Sequence, residues 1–209
     1  MLMRAGLLVL MLVFASAANA EGGALQRFLD GVQSLSGRFE QVQKDDKGKV
    51  LQNTSGHFSL QRPGKFRWSY EQPYQQLLVC NGRTIWFYDP DLAQVTLRDA
   101  RPALAGTPAE LLSQRGALAD RFKSQDLGAE NGAQHLRLLP KSAEGDFKSI
   151  ELWLRGNIPE RLRFDDPLGG STDVKLLDLK ANAPVDAAQF SFTVPDGVET
   201  IYADEPGKK

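Results

Sequence analysis

Between residues 61 and 95 the chain reads QRPGKFRWSYEQPYQQLLVCNGRTIWFYDPDLAQV, with Phe66, Trp68 and Tyr70 on alternate positions, and Trp86 and Tyr88 likewise. In a strand successive side chains point to opposite faces, so each set shares one face. The chemistry open to such a wall is non-covalent: aromatic rings bury apolar ligand surface without needing directional bonds. Covalent chemistry is poorly provided for. His57 and His135 are the two histidines and Cys80 the one cysteine, far apart in sequence and without ligand spacing for a metal. No G-x-S-x-G elbow, G-x-G-x-x-G loop or P-loop occurs. The acidic pairs Asp45-Asp46 and Asp165-Asp166 adjoin turn residues and read as solvated loop carboxylates. The expectation is a binding protein rather than an enzyme, with no cofactor and no metal.

The elements that must position these rings are mostly strands. Leu25, Phe28, Leu29 and Val32 recur at helical spacing and predict one amphipathic helix, after which the period changes to two. Strands are expected near 37–44, 52–61, 65–70, 75–80, 83–88 and 93–98, with Asn81-Gly82 as a hairpin turn. Thr107-Pro108-Ala109-Glu110 followed by Leu111-Leu112 has the signature of a short capped helix, with another turn expected over 117–122. Strands resume near 134–139, 149–154, 160–164, 172–179 and 190–194, punctuated by Asn131-Gly132, Gly156-Asn157 and Pro167-Leu168-Gly169-Gly170. About ten or eleven antiparallel strands must either stack as a sandwich or curl into a barrel, and periodicity alone leaves both open. Three large aromatics within five residues of one strand fit a curved sheet lining a pocket better than a tightly interdigitated layer.

Residues 1–20 have the form of an export leader: Arg4, an apolar stretch over 5–14 too short to span a bilayer, and Ala18-Asn19-Ala20 as a cleavage site. The mature chain is expected to begin at Glu21, without a following cysteine to accept a lipid and without a later apolar run long enough to anchor it. Residues 21–209 read as one domain, since no linker-like composition interrupts the even spacing of turns. Loss of Arg4 with the leader moves the formal net charge only slightly from −1, so there is no basic footprint for nucleic acid or for an anionic membrane surface. Cys80 lies in the apolar run Leu77-Leu78-Val79-Cys80 and reads as a buried thiol, so stability must come from packing.

Arg62-Pro63-Gly64-Lys65-Phe66-Arg67-Trp68, then Gln72-Pro73, Asn81-Gly82, Trp86-Phe87-Tyr88-Asp89-Pro90 and Gln94-Val95, resembles the pattern of the LolA family, the periplasmic outer-membrane lipoprotein carriers of Gram-negative bacteria. The likeness continues to Val185-Asp186-Ala187-Ala188-Gln189-Phe190-Ser191-Phe192 and so spans essentially the whole mature chain. It implies a mainly β (α+β) fold: an unclosed antiparallel half-barrel with a helical lid over a hydrophobic cavity. It implies a soluble periplasmic monomer that shields the acyl chains of lipoproteins released from the inner membrane by the ABC transporter LolCDE and delivers them to the outer-membrane receptor LolB. The related LolB is itself a lipoprotein, and the missing lipid-attachment cysteine argues against that branch. A carrier of another lipid and a lipid-sensing regulatory module are the alternatives; regulators of that kind usually carry an additional domain.

Carried over by position, Arg62 matches the arginine taken to hold the lid closed through backbone carbonyls, a task suited to a rigid, permanently charged fork of donors. Phe66 matches the phenylalanine associated with receiving and passing on cargo, with Trp68 and Tyr70 further along its strand face; Trp86 and Tyr88 are counted with the same aromatic wall. The chain departs from a familiar form of the family at Gly64 and Lys65. Lys65 and Arg67 alternate with the aromatics, so they are expected on the opposite sheet face, where they suit docking to an acidic surface of LolCDE or LolB.

Overall fold

A computed structural model describes residues 23–100, 108–113, 121–142 and 147–203. The export leader over 1–20, Thr107 of the capping signature and most of the turn expected over 117–122 lie outside the described residues. The chain runs α1 (Gly23–Gly31), β1 (Ser34–Lys44), β2 (Val50–Gln61), β3 (Lys65–Gln72), β4 (Gln76–Asn81), β5 (Thr84–Asp89), β6 (Gln94–Asp99), α2 (Pro108–Ser113), β7 (Phe122–Glu130), β8 (Ala133–Pro140), β9 (Ser149–Arg155), β10 (Ile158–Asp165), β11 (Ser171–Ala181) and β12 (Glu199–Tyr202).

All twelve strands join one sheet in the order β12-β6-β5-β4-β3-β2-β1-β11-β10-β9-β8-β7. Neighbours are antiparallel except β12, which runs parallel to β6. The order ends at β7 and β12, so the sheet curls without closing. Curling is visible in the core: Leu136, Ile150, Leu162 and Phe164 from one half share a buried cluster with Phe58, Phe66, Trp68 and Ile85 from the other. A flat sheet of this width would hold those residues far apart.

Two local features shape the sheet. Gly56 on β2 sits where a Cβ would run into the Ser69 carbonyl of β3 and lie 3.1 Å from Phe39 Cε1, so the backbones approach as only glycine permits. The β7–β8 turn is Asn131-Gly132, with φ of 50° and 80°, the two positive angles that a tight hairpin of matching twist requires.

The structure departs from the sequence expectation at three strands. β7 was not foreseen, because FKSQDLGAE lacks apolar alternation; it is an edge strand that buries only Phe122 among its nine residues. β12 is four residues long, too short for a periodicity signal. The strand expected over 190–194 is absent: Asp186 caps a 3-10 turn at Ala187–Phe190, its carboxylate accepting from the Ala188 N–H at 2.9 Å, and the chain then crosses the outer face of the sheet. Phe190 is buried there and Phe192 stands against Tyr88, ring centroids 5.3 Å apart. Val79 and Val95, outer-face residues of β4 and β6, are themselves fully buried.

α1 forms as its spacing dictates, with Ala24, Leu25, Phe28 and Leu29 buried on one face against the concave side of the sheet. α2 contributes Leu111 and Leu112 to the same cluster. The two helices therefore cover the inner face.

Candidate functional site

Arg62 follows β2 directly and is 5% exposed. Its Nη1 donates to the carbonyls of Phe28 at 2.8 Å, Leu29 at 3.0 Å and Val32 at 2.6 Å. Its Nε and Nη2 both donate to the Leu112 carbonyl, at 3.2 and 2.9 Å. The guanidinium also lies over the Phe28 ring, 4.3 Å from its centroid. The last carbonyls of a helix have no intrahelical partner and carry the negative end of its dipole. One side chain thus satisfies the C-terminal ends of both α1 and α2 with charge-assisted bonds. The neighbouring backbone assists: Arg62 N–H donates to Gln33 O at 2.8 Å and Gly64 N–H to Ser113 O at 2.9 Å.

Asn182, which the sequence reading passed over, supplies a second tie. Its side chain donates to Gly31 O at 2.9 Å and accepts from Gln33 N–H at 2.7 Å, fixing the exit of α1 to the end of β11. Its φ of 57° is a turn conformation that asparagine tolerates, and an Asn between alanines before Pro184 was the available signal. Arg27 adds a third tie on the exposed side of α1, donating to Asn157 Oδ1 at 2.8 Å.

Beneath the helices, Phe66 and Trp68 point inward and are buried, with Tyr70 half-buried beyond them. Trp68 packs against both Phe39 and Phe58, with centroid distances of 4.7 and 5.1 Å, and Tyr70 meets Phe39 edge-on at 5.2 Å. Burial pushes the Tyr70 phenol pKa up. Phe58, Leu60, Phe66, Trp68, Leu112 and Ser113 line a residual cavity of about 10 Å³, close to the least that admits one water. Cys80, paired with Phe66 across β3 and β4, is fully buried; burial pushes its thiol up despite an opposing hydrogen bond from the Gly82 N–H at 3.3 Å. It is a packed thiol remote from the neutral-pH nucleophile range.

The structure brings Arg62, Phe66, Trp68 and Tyr70 together and separates Trp86 and Tyr88 from them. Arg67 pairs with Val79, and Val79 with Trp86; Ser69 pairs with Leu77, and Leu77 with Tyr88. Directly paired residues share a face, so Trp86 and Tyr88 stand on the outer face with Arg67, and their inclusion in the inner aromatic wall is corrected. The inner residues of β5 are Ile85 and Phe87, the latter opposite Leu78 and so in line with Trp68. Lys65 and Arg67 do lie on the face opposite Phe66 and Trp68; Arg67 Nη1 reaches the Gln189 carbonyl at 3.4 Å.

Among the described residues no helix is long and apolar enough to cross a membrane. The family model described as Outer membrane lipoprotein carrier protein LolA matches residues 30–193. An outer-membrane lipoprotein carrier protein of Methylococcus capsulatus is 40% identical over 193 residues, covering 92% of this chain and 92% of the relative. One from Azotobacter vinelandii is 40% identical, covering 89% and 91% respectively. In fold, the chain resembles the crystal structure of an uncharacterized conserved protein from Thermus thermophilus, with a TM-score of 0.59 at 14% identity over 86% of this chain and 97% of that one. With the family match spanning most of the sheet and both strands around the arginine clamp, the chain belongs to the LolA family of outer-membrane lipoprotein carrier proteins.

Proposed function

We propose that this protein is a periplasmic carrier that shields the acyl chains of lipoproteins leaving the inner membrane through LolCDE and delivers them to LolB. In this reading residues 1–20 are a cleaved export leader and 21–209 act as one carrier unit. Each buried methylene is worth about 0.8 kcal/mol, so an acyl chain of about 15 methylenes is held in a membrane by roughly 12 kcal/mol. Unassisted crossing of water is correspondingly slow. A carrier must offset most of that cost and still release.

The observation that carries the reading is an apolar inner face covered by α1 and α2, whose C-terminal carbonyls are gathered by the one Arg62 side chain. The cavity lined by Phe66, Trp68 and Leu112 is about 10 Å³, far below the roughly 300 Å³ of a pocket for a small ligand, so in this reading an acyl chain reaching Trp68 needs the helical cover above it to shift. Arg62 is the gate: its bonds to the two helix ends break when the helices part, and burial of the chain against Phe66, Trp68 and Tyr70 replaces the lost packing. Exchanging one set of apolar contacts for another keeps the free-energy difference between empty and loaded states small. Lys65 and Arg67, outward on the same strand, serve docking to acidic surfaces of the two membrane partners.

Release of an acylated lipoprotein from inner-membrane vesicles containing LolCDE and ATP, followed by gel filtration, tests the reading. Co-elution of lipoprotein with the mature protein is expected; no release by well-folded protein would overturn it.

A further inference from the structure

Trp68 carries more than its ring. Its indole Nε1 is buried with no hydrogen-bond partner among the described residues, while the residue lines the cavity beneath α2 and is 8% exposed. Trp153, on the outer face, is the contrast: its Nε1 donates to Glu130 at 2.7 Å. A buried N–H without an acceptor is a standing cost that phenylalanine at the same position would avoid. Thr54 Oγ1 is likewise unpartnered, but a hydroxyl rotates and both donates and accepts, so it points to no single ligand chemistry. An indole N–H only donates, so what it awaits is an acceptor within an otherwise apolar guest.

Resting on the carrier reading above, we propose that Trp68 is a specificity-determining residue whose Nε1–H donates to an ester carbonyl of a diacylglyceryl group. Hydrocarbon tails offer no acceptor; the ester carbonyl is the acceptor nearest to them, at the junction of tail and headgroup. Phe39 and Phe58 both pack against the indole, so its orientation is restrained before the guest arrives. The bond sets how deeply a guest is seated: the tails run along the inner face and the carbonyl stops at Trp68.

The test compares a short peptide bearing an S-diacylglyceryl cysteine with its dialkyl-ether analogue, which has the same chains and no carbonyl. Binding of both to the mature wild-type protein and to Trp68→Phe is measured, with thermal denaturation of each variant alongside. The expected result is a preference of about 3- to 10-fold for the ester in the wild type, collapsing towards one in Trp68→Phe while ether affinity stays within about two-fold. A structural role for the ring alone would lower both affinities together. Equal affinity of the wild type for ester and ether overturns the proposal without any variant, as does an undiminished preference in Trp68→Phe. A parallel ester–ether pair of phospholipids separates the sources: preference on the peptide supports a lipoprotein anchor, and preference on the phospholipid alone keeps the donor role but reassigns the guest. Failure of the wild type to bind any of the lipids would overturn the carrier reading and this inference with it.

Discussion

The outer face of β8–β11 and the inner face of β2–β3 are built from the same alternating strands and are held in opposite ways. On the outer face Glu151, only 9% exposed, accepts from Arg137 at 2.6 and 2.9 Å and pairs with His135 at 3.0 Å. His135 stacks on Trp153, Arg161 lies over the other side of that cluster, 4.3 Å from the Trp153 centroid, and Arg161 and Arg163 reach Asp173 and Asp165 at 2.6 and 2.9 Å. These bonds tie β8 to β9 and β10 to β11, and the Arg161–Trp153 contact joins the two pairs. On the inner face of β2–β3 the contacts are aromatic and aliphatic, and two buried side-chain atoms, Thr54 Oγ1 and Trp68 Nε1, lack partners among the described residues. Non-directional contacts can be traded for a guest's, whereas directional ones cannot. Under the proposed carrier role, the outer surface would keep the shape of the molecule while the inner one exchanges its contents.

Breaking the close approach of β2 and β3 at Gly56 should have the largest effect. Gly56→Val places branched carbon against the Ser69 carbonyl and is expected to cost about 3 kcal/mol or more, read as a large drop in the urea midpoint. Removing the clamp comes next. Arg62→Leu leaves the carbonyls of two helix ends without their donor and is expected to lose about 2 kcal/mol locally, seen as roughly 30-fold faster hydrogen exchange over α1 while exchange in β8–β11 stays unchanged.

Weakening the outer ladder tests the other side of the comparison. Glu151→Gln is expected to cost about 2 kcal/mol at neutral pH with lipid affinity unchanged. Burial alone would raise the Glu151 carboxyl, but hydrogen bonds and charge from Arg137 and His135 outweigh it and hold its pKa below the ordinary value. A depressed folded-state pKa means that its stabilisation is complete above the unfolded-state value of about 4.3 and is lost as pH falls through the folded value. Wild type should therefore lose stability more steeply than Glu151→Gln on acidification below about pH 4.3. The smallest effect is expected from Tyr88→Ala, which removes the ring under Phe192: about 1 kcal/mol of stability and no change in lipid affinity. A drop in lipid affinity there would return Tyr88 to the cargo face.

Much of this division was legible in the sequence. Period two in residues 65–70 placed Phe66, Trp68 and Tyr70 on one face, and the helical spacing of Leu25, Phe28, Leu29 and Val32 gave the helix that covers them. The side taken by Trp86 was also within reach. A turn of two or of four residues between β4 and β5 pairs Trp86 with an odd-numbered residue of β4, whereas Phe66 faces Cys80. Parity across the hairpin, rather than aromatic character, decides the face. The outer ladder was not legible, because Glu151, Asp173 and the arginines are scattered over four strands and meet only through register. Nor was the path of residues 187–192, whose apolar alternation reflects packing across the sheet instead of pairing within it.

In the proposed carrier, the helices must part from the sheet to admit an acyl chain. Spin labels at exposed Gln26 on α1 and Lys175 on β11, introduced as cysteines with buried Cys80 left unlabelled, report that separation directly. Binding of a diacylglyceryl peptide should lengthen and broaden the distance in wild type, and Arg62→Leu should broaden it without ligand. An unchanged distance in protein shown to be loaded with lipid would contradict that opening.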